Sequence, residues 1–283
     1  MATATFEPKR WAKFPHDNTA FNYDREGLIA QWDLLHRGDC EPLPTSERVL
    51  SLVPDQSDPE ETADALLEAW RLYHVGAFSE AVLLADQIGI LAHAVANKAS
   101  GIYADYVEDD ETVQKAIYQH GMNRAAEAIN AFPSDPNAHY FHAFMTGRYS
   151  QCISVTKALK DGLATRVQSD IATVLEFQAK HAEGYLALGL FHAEVIDKVG
   201  RMVGRVTYGA SSDESLKAFQ TALKLTPKSP IAWIEYGNAL YLMFGDDRIQ
   251  ESNEAYETAT QCKVIDAMTC LDVAYAKASL SDS

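Results

Sequence analysis

Residues 182–189 read AEGYLALG, and residues 231–238 read IAWIEYGN. In each, an aromatic residue (Tyr185 or Trp233) is followed four positions later by glycine (Gly189 or Gly237). Each segment is followed by a second helical stretch with matched offsets. Phe219 and Ala222 precede Leu-Thr-Pro with Pro227, and Tyr256 and Ala259 fall at the corresponding places. Four residues make about one helical turn, so each pair shares a helix face. A small residue at a fixed place beside large ones is what two closely crossing antiparallel helices require.

Weaker copies extend the pattern upstream. Ala69 and Ala81 flank a turn at Gly76, Gly101 is followed by Ala128 and Pro133, and Ala143 precedes Gly147. Positions 69, 101, 143, 189 and 237 are thus expected to be helix crossings. From residue 60 onward helical periodicity dominates, and sustained apolar–polar alternation is absent. Helices are expected over 60–74, 78–89, 90–106, 110–131, 137–147, 150–163, 167–180, 182–203, 213–225, 229–244, 247–262 and 266–280. Earlier, Asp24 is placed to cap a helix running to Arg37, with Leu28, Ile29, Trp32, Leu35 and His36 on one stripe. The expected organisation is an N-terminal arm with one or two helices (1–59), a repeat domain of about five hairpins (60–265) and a closing helix (266–283). The fold class is all-α, a right-handed superhelix of helical hairpins with insertions.

The spacing is similar to the tetratricopeptide pattern W-x2-L-G-x2-Y…A-x3-F…P. The longer intervals between the later crossings, and the inserted stretch from Gly189 through Gly209-Ala210-Ser211-Ser212, resemble the regulator of microtubule dynamics family and its bacterial relatives over residues 60–265. That resemblance implies binding or adaptor activity. It supplies no catalytic residue to carry over.

The chain has 283 residues, 47% apolar and 23% charged, with 24 Lys+Arg against 40 Asp+Glu and a net charge of −16. Such a balance excludes a disordered or collagenous chain and disfavours a nucleic-acid partner. It also argues against docking on an acidic filament. No run approaches the roughly 18 apolar residues of a membrane span, and the first residues lack a secretory core. Cys40, Cys152, Cys262 and Cys270 form no Cys-x-x-Cys. Reduced thiols, a cytoplasmic location and no membrane insertion are expected.

A repeat array of this type presents residues of its first helices to a peptide or partner helix. Those positions are Tyr140, Phe144 and Arg148, then Glu183, Leu190 and Glu194, then Ile234, Asn238 and Tyr241. Packing against a cap helix or the arm is the competing role for several of them. Lys198, Arg201 and Arg205 form a basic island, the two arginines four apart and suited to a carboxylate or phosphate. Pairing with Glu194 and Asp197 is the alternative.

His139 and His142 lack the Glu of His-Glu-x-x-His, and the acidic run at 107–112 lacks an EF-hand glycine, so neither is expected to hold a metal. Gly200, Gly204 and Gly209 do not form a dinucleotide loop, and no cofactor is expected. No nucleophile motif occurs, so the chain is expected not to be an enzyme. The expected partner is a protein or peptide, with a homodimer also compatible. The alternative function is a receptor whose insertions close around a small anionic metabolite, as in transporter-associated repeat proteins.

Overall fold

The computed structural model describes residues 5–281. The regular structure among those residues is helical, and no strand occurs among them. They divide into two compact units. The first holds 5–36, 41–152 and 266–268; the second holds 37–40, 153–265 and 269–281. The border at 152/153 lies inside the stretch expected as one repeat domain. The outermost residues of the expected arm and closing helix, 1–4 and 282–283, lie outside the described residues.

In the first unit the helices are α1 (Arg25–Leu35), α2 (Ser46–Leu52), α3 (Pro59–His74), α4 (Phe78–Ile88), α5 (His93–Tyr106), α6 (Glu111–Ala131) and α7 (Pro136–Gln151). Their starts are written in the sequence. Asp24 accepts from the Gly27 amide, Thr45 from Arg48 and Asp110 from Thr112 and Val113, while Pro59 and Pro136 occupy first-turn positions where no amide donor is needed. This gives the acidic run at 107–112 a capping role. Each of α3 to α7 packs on the next, α3 also adjoins α5 and α5 adjoins α7, the arrangement of hairpins stacked in series.

Ala69, Ala81, Ala128 and Ala143 are buried as expected. Gly101 is also at a close approach, but its neighbour is the following hairpin. A Cβ there would stand 2.3 Å from Phe144 and 3.3 Å from Met145, both on α7. Of the α1 stripe, Leu28, Trp32 and His36 are buried and Ile29 is exposed.

A buried polar chain crosses this unit. His74 Nδ1 lies 2.9 Å from Asp266 Oδ2, and His74 Nε2 lies 3.2 Å from His36 Nε2. Donation from His74 to Asp266 and from His36 to His74 satisfies both bonds with neutral rings. Trp32 and Trp70 enclose the His36 ring, centroids 4.1 and 4.5 Å away. His36 and His74 are thus hydrogen-bonded core. His139 likewise meets the Pro133 carbonyl at 2.9 Å.

The second unit contains α8 (Val155–Lys160), α9 (Leu163–Phe177), α10 (Ala182–Val199), α11 (Arg201–Tyr208), α12 (Ser212–Leu225), α13 (Pro230–Phe244), α14 (Ile249–Thr260) and most of α15 (Ala267–Ser281). Here α10 packs on α12, α13 on α14, and α10 on α13. The crossings at Gly189 and Gly237 are those expected. A Cβ on Gly189 would stand 2.4 Å from Phe219 on α12, and one on Gly237 would stand 2.9 Å from Tyr256 on α14.

Two expected helices are interrupted. The stretch 150–163 breaks after Gln151 and again at Asp161-Gly162, where Gly162 has φ 67°. The stretch 182–203 ends at Gly200, whose φ of 82° only glycine adopts freely, and α11 restarts beyond it. Apolar periodicity continues through both breaks, so it carried no sign of them.

Candidate functional site

The sequence-derived site residues fall into two groups, one in each unit. In the first, Tyr140, Phe144 and Arg148 follow one another along a single face of α7. Tyr140 stacks on Phe144 at 6.2 Å, and the Arg148 guanidinium lies over the Phe144 ring at 5.6 Å. Arg148 Nε also pairs with Asp105 Oδ2 at 3.0 Å, and Tyr118 donates to the other carboxylate oxygen at 2.6 Å. Burial and the Asp105 charge raise the Tyr118 phenol, keeping it a donor. The ridge is therefore braced from below, and Arg148 is engaged within the unit.

In the second unit, α10 presents Glu183, Leu190 and Glu194, all half-buried. The Glu183 amide donates to the Gly38 carbonyl at 3.0 Å, and a Cβ on Gly38 would stand 2.8 Å from the Glu183 carboxylate. Glu183 thus clasps the 37–40 segment. Asn238 on α13 donates to Glu235 at 3.0 Å and accepts from the Tyr256 hydroxyl at 2.5 Å. Burial raises the Tyr256 phenol, with Tyr275 adding to it. Ile234 is core, packed with Ala259 and Ala276. Asn238 and Ile234 hold helices together; Tyr241, 54% exposed, faces outward.

In the basic island Lys198 shows the acid pairing expected as the alternative, and the two arginines do not. Lys198 pairs with its neighbour Asp197 at 2.9 Å. Arg201 turns to the end of α13, donating to the Met243 carbonyl at 2.7 Å with its guanidinium 5.4 Å from the Phe244 ring centre. Such a cation satisfies a carbonyl that the helix end leaves open. Arg248 covers the same ring at 4.9 Å and pairs with Glu251, which also accepts from Tyr236. Burial, with that bond to Glu251, pushes the Tyr236 phenol up to about 12. The Arg205 side chain is exposed and has no ion-pair or hydrogen-bond partner among the described residues. The result is an arginine–phenylalanine–arginine stack at the end of α13, with Tyr241 one turn back and Arg205 one turn along α11. Phe244 and Arg248 were not foreseen, because only the crossing of α11 toward α13 brings them to Arg201.

A scan against protein-family models matches residues 87–279 to the description Regulator of microtubule dynamics protein 1-3. The chain belongs to this family. The match begins at the end of α4 and runs into α15, so it takes in both candidate groups and leaves out the arm and α1 to α3. No curated protein matches the chain. For this regulator of microtubule dynamics protein 1-3 family member, no helix among the described residues is long and apolar enough to cross a membrane. Membership agrees with a protein-interaction role, and the residues described above hold each other through packing, ion pairs and cation–π contacts.

Proposed function

We propose that this chain is a non-catalytic adaptor of the cytoplasm that captures a peptide or helix from a partner protein. The second unit supplies the reading surface, with Tyr241 as aromatic anchor and Arg205 as the reader of an acidic group. The observation that carries this reading is the corner at the end of α13. Tyr241 is 54% exposed, the Phe244 ring lies under two guanidiniums, and Arg205 has no partner among the described residues. Tyr and Arg are the residue types that most often dominate binding energy at interfaces. The unpaired Arg205 guanidinium on a chain of net charge −16 also favours an acidic group on the partner.

The test is an array of acidic, aromatic-containing peptides probed with labelled full chain. Arg205→Ala and Tyr241→Ala should each lower the strongest signals at least fivefold without changing the melting temperature. Signals that survive both substitutions would remove this surface from consideration.

A further inference from the structure

The described part of the N-terminal arm lies in the first unit on a track of specific seats. Phe6 stacks flat on His120 at 3.8 Å and 3°, with the Arg124 guanidinium 5.6 Å from the same ring. The Pro8 carbonyl accepts from Ser79 at 2.8 Å. Trp11 stacks on Tyr103 at 4.2 Å and 3°, and the next amide, Ala12, donates to the Tyr103 hydroxyl at 3.1 Å. Phe14 lies over Gly76, where any Cβ would stand 2.6 Å from its ring. Between the Phe6 and Trp11 seats, Pro8–Arg10 form a short 3-10 turn that packs on α4. The segment is thus held by side-chain hydrogen bonds, stacking, one glycine seat and this turn.

The fit is incomplete. Phe6, Trp11 and Phe14 are only half-buried, and Lys9, Arg10 and Lys13 between them are exposed. The Trp11 indole nitrogen is buried with no hydrogen-bond partner, and so is His120 Nδ1 beneath Phe6. Behind Arg124, which bonds its oxygen at 3.2 Å, Asn97 keeps its buried side-chain nitrogen unpartnered. The unpaired Trp11 nitrogen weakens the arm's own hold, and the unpaired His120 nitrogen, which stays with the site, favours a ligand that can hydrogen-bond to it.

We propose that this track is a second recognition site, for a segment of another protein carrying the spacing Phe-x4-Trp-x2-Phe, and that the chain's own arm occupies it as a displaceable autoinhibitor. It is independent of the corner at Tyr241 and Arg205, which lies in the other unit. A tethered occupant acts at an effective concentration on the order of millimolar. A peptide in trans therefore binds well only when the arm is weakened.

The probe is a fluorescein-labelled synthetic peptide of residues 5–21, titrated by anisotropy into full chain. The double variant Phe6→Ala/Trp11→Ala should bind it at least tenfold tighter than the unmodified chain does. Adding His120→Ala should cost at least fivefold, and a scrambled peptide should not bind. Equal binding to both chains, or none to a folded double variant, overturns the proposal. Should the variant fail to fold, unmodified ¹⁵N-labelled chain with millimolar unlabelled peptide gives the answer. The Ala12 amide and Trp11 indole signals should shift to their unbound positions, and unmoved signals overturn the proposal. A dimer of the unmodified chain that Phe6→Ala/Trp11→Ala abolishes would also overturn it, by making a second copy's arm the occupant.

Discussion

The Ser252 hydroxyl donates to the main-chain carbonyl of Gly237 at 2.8 Å, across the crossing of α14 and α13. Ser215 makes the same bond to Gly189 at 2.8 Å, across α12 and α10. In both hairpins serine, aromatic and alanine follow at the same offsets: Ser215, Phe219, Ala222 and Ser252, Tyr256, Ala259. The absent glycine Cβ lets the ring lie on the opposite backbone, and the serine ties that backbone at the buried glycine carbonyl. The repeat is thus a unit of hydrogen bonding as well as of packing.

Gly189→Ala and Gly237→Ala should each destabilise the fold by about 1–3 kcal/mol, because the new methyl meets the packed ring of Phe219 or Tyr256. Alanine is otherwise the better helix former by about 1 kcal/mol. Gly147→Ala on α7, where a Cβ meets nothing within 4 Å, should therefore raise stability. Thermal melts of the three variants check the opposite signs.

Ser215→Ala and Ser252→Ala should each cost about 1 kcal/mol, the net worth of one hydrogen bond whose acceptor loses its donor. The two losses should be close to each other in urea titrations, since the two sites repeat one geometry. A loss at one site alone would break the equivalence.

Asp135 caps α7 through the Asn137 amide and meets Arg48 at 3.0 Å. Burial pushes its carboxyl up, but His93, Arg48 and that amide outweigh burial and hold it below the ordinary value. A carboxyl depressed by folding contributes stability that is present above its unfolded pKa of about 3.9 and is lost as pH falls through the folded value. Asp135→Asn should destabilise by about 1–2 kcal/mol near neutral pH. The gap between the two melting curves should close below about pH 4.

The Cys40 thiol is pushed up to about 11 by burial, with the charges of Asp39 and Glu183 adding to it. Thiolate is the reactive form, so alkylation at pH 7.5 should run roughly a hundredfold slower than for a free cysteine. Site-resolved mass spectrometry of native against urea-unfolded chain measures the ratio.

Much of the fold was legible because its signals are local. Capping residues such as Asp24 and Asp110, first-turn prolines and the spacing to Gly189 and Gly237 act within one or two turns, and the all-α class follows from them. The breaks at Gly162 and Gly200 were not legible: apolar residues continue on both sides, and only backbone φ marks the change. The candidate residues divided in the same way. The face shared by Tyr140, Phe144 and Arg148 followed from helical spacing. The engagement of Arg148 with Asp105 and of Arg201 with Met243 did not.

By itself the sequence determined the all-α class and the hairpins crossing at Gly189 and Gly237, since helical periodicity places interacting residues three or four positions apart. Only the tertiary structure decided that Arg201 meets Met243, 42 residues away, that His74 meets Asp266, 192 away, and that Trp11 lies on Tyr103. Those pairs form when separate helices or the arm dock, and docking is set by the summed burial of many side chains rather than by any spacing along the chain.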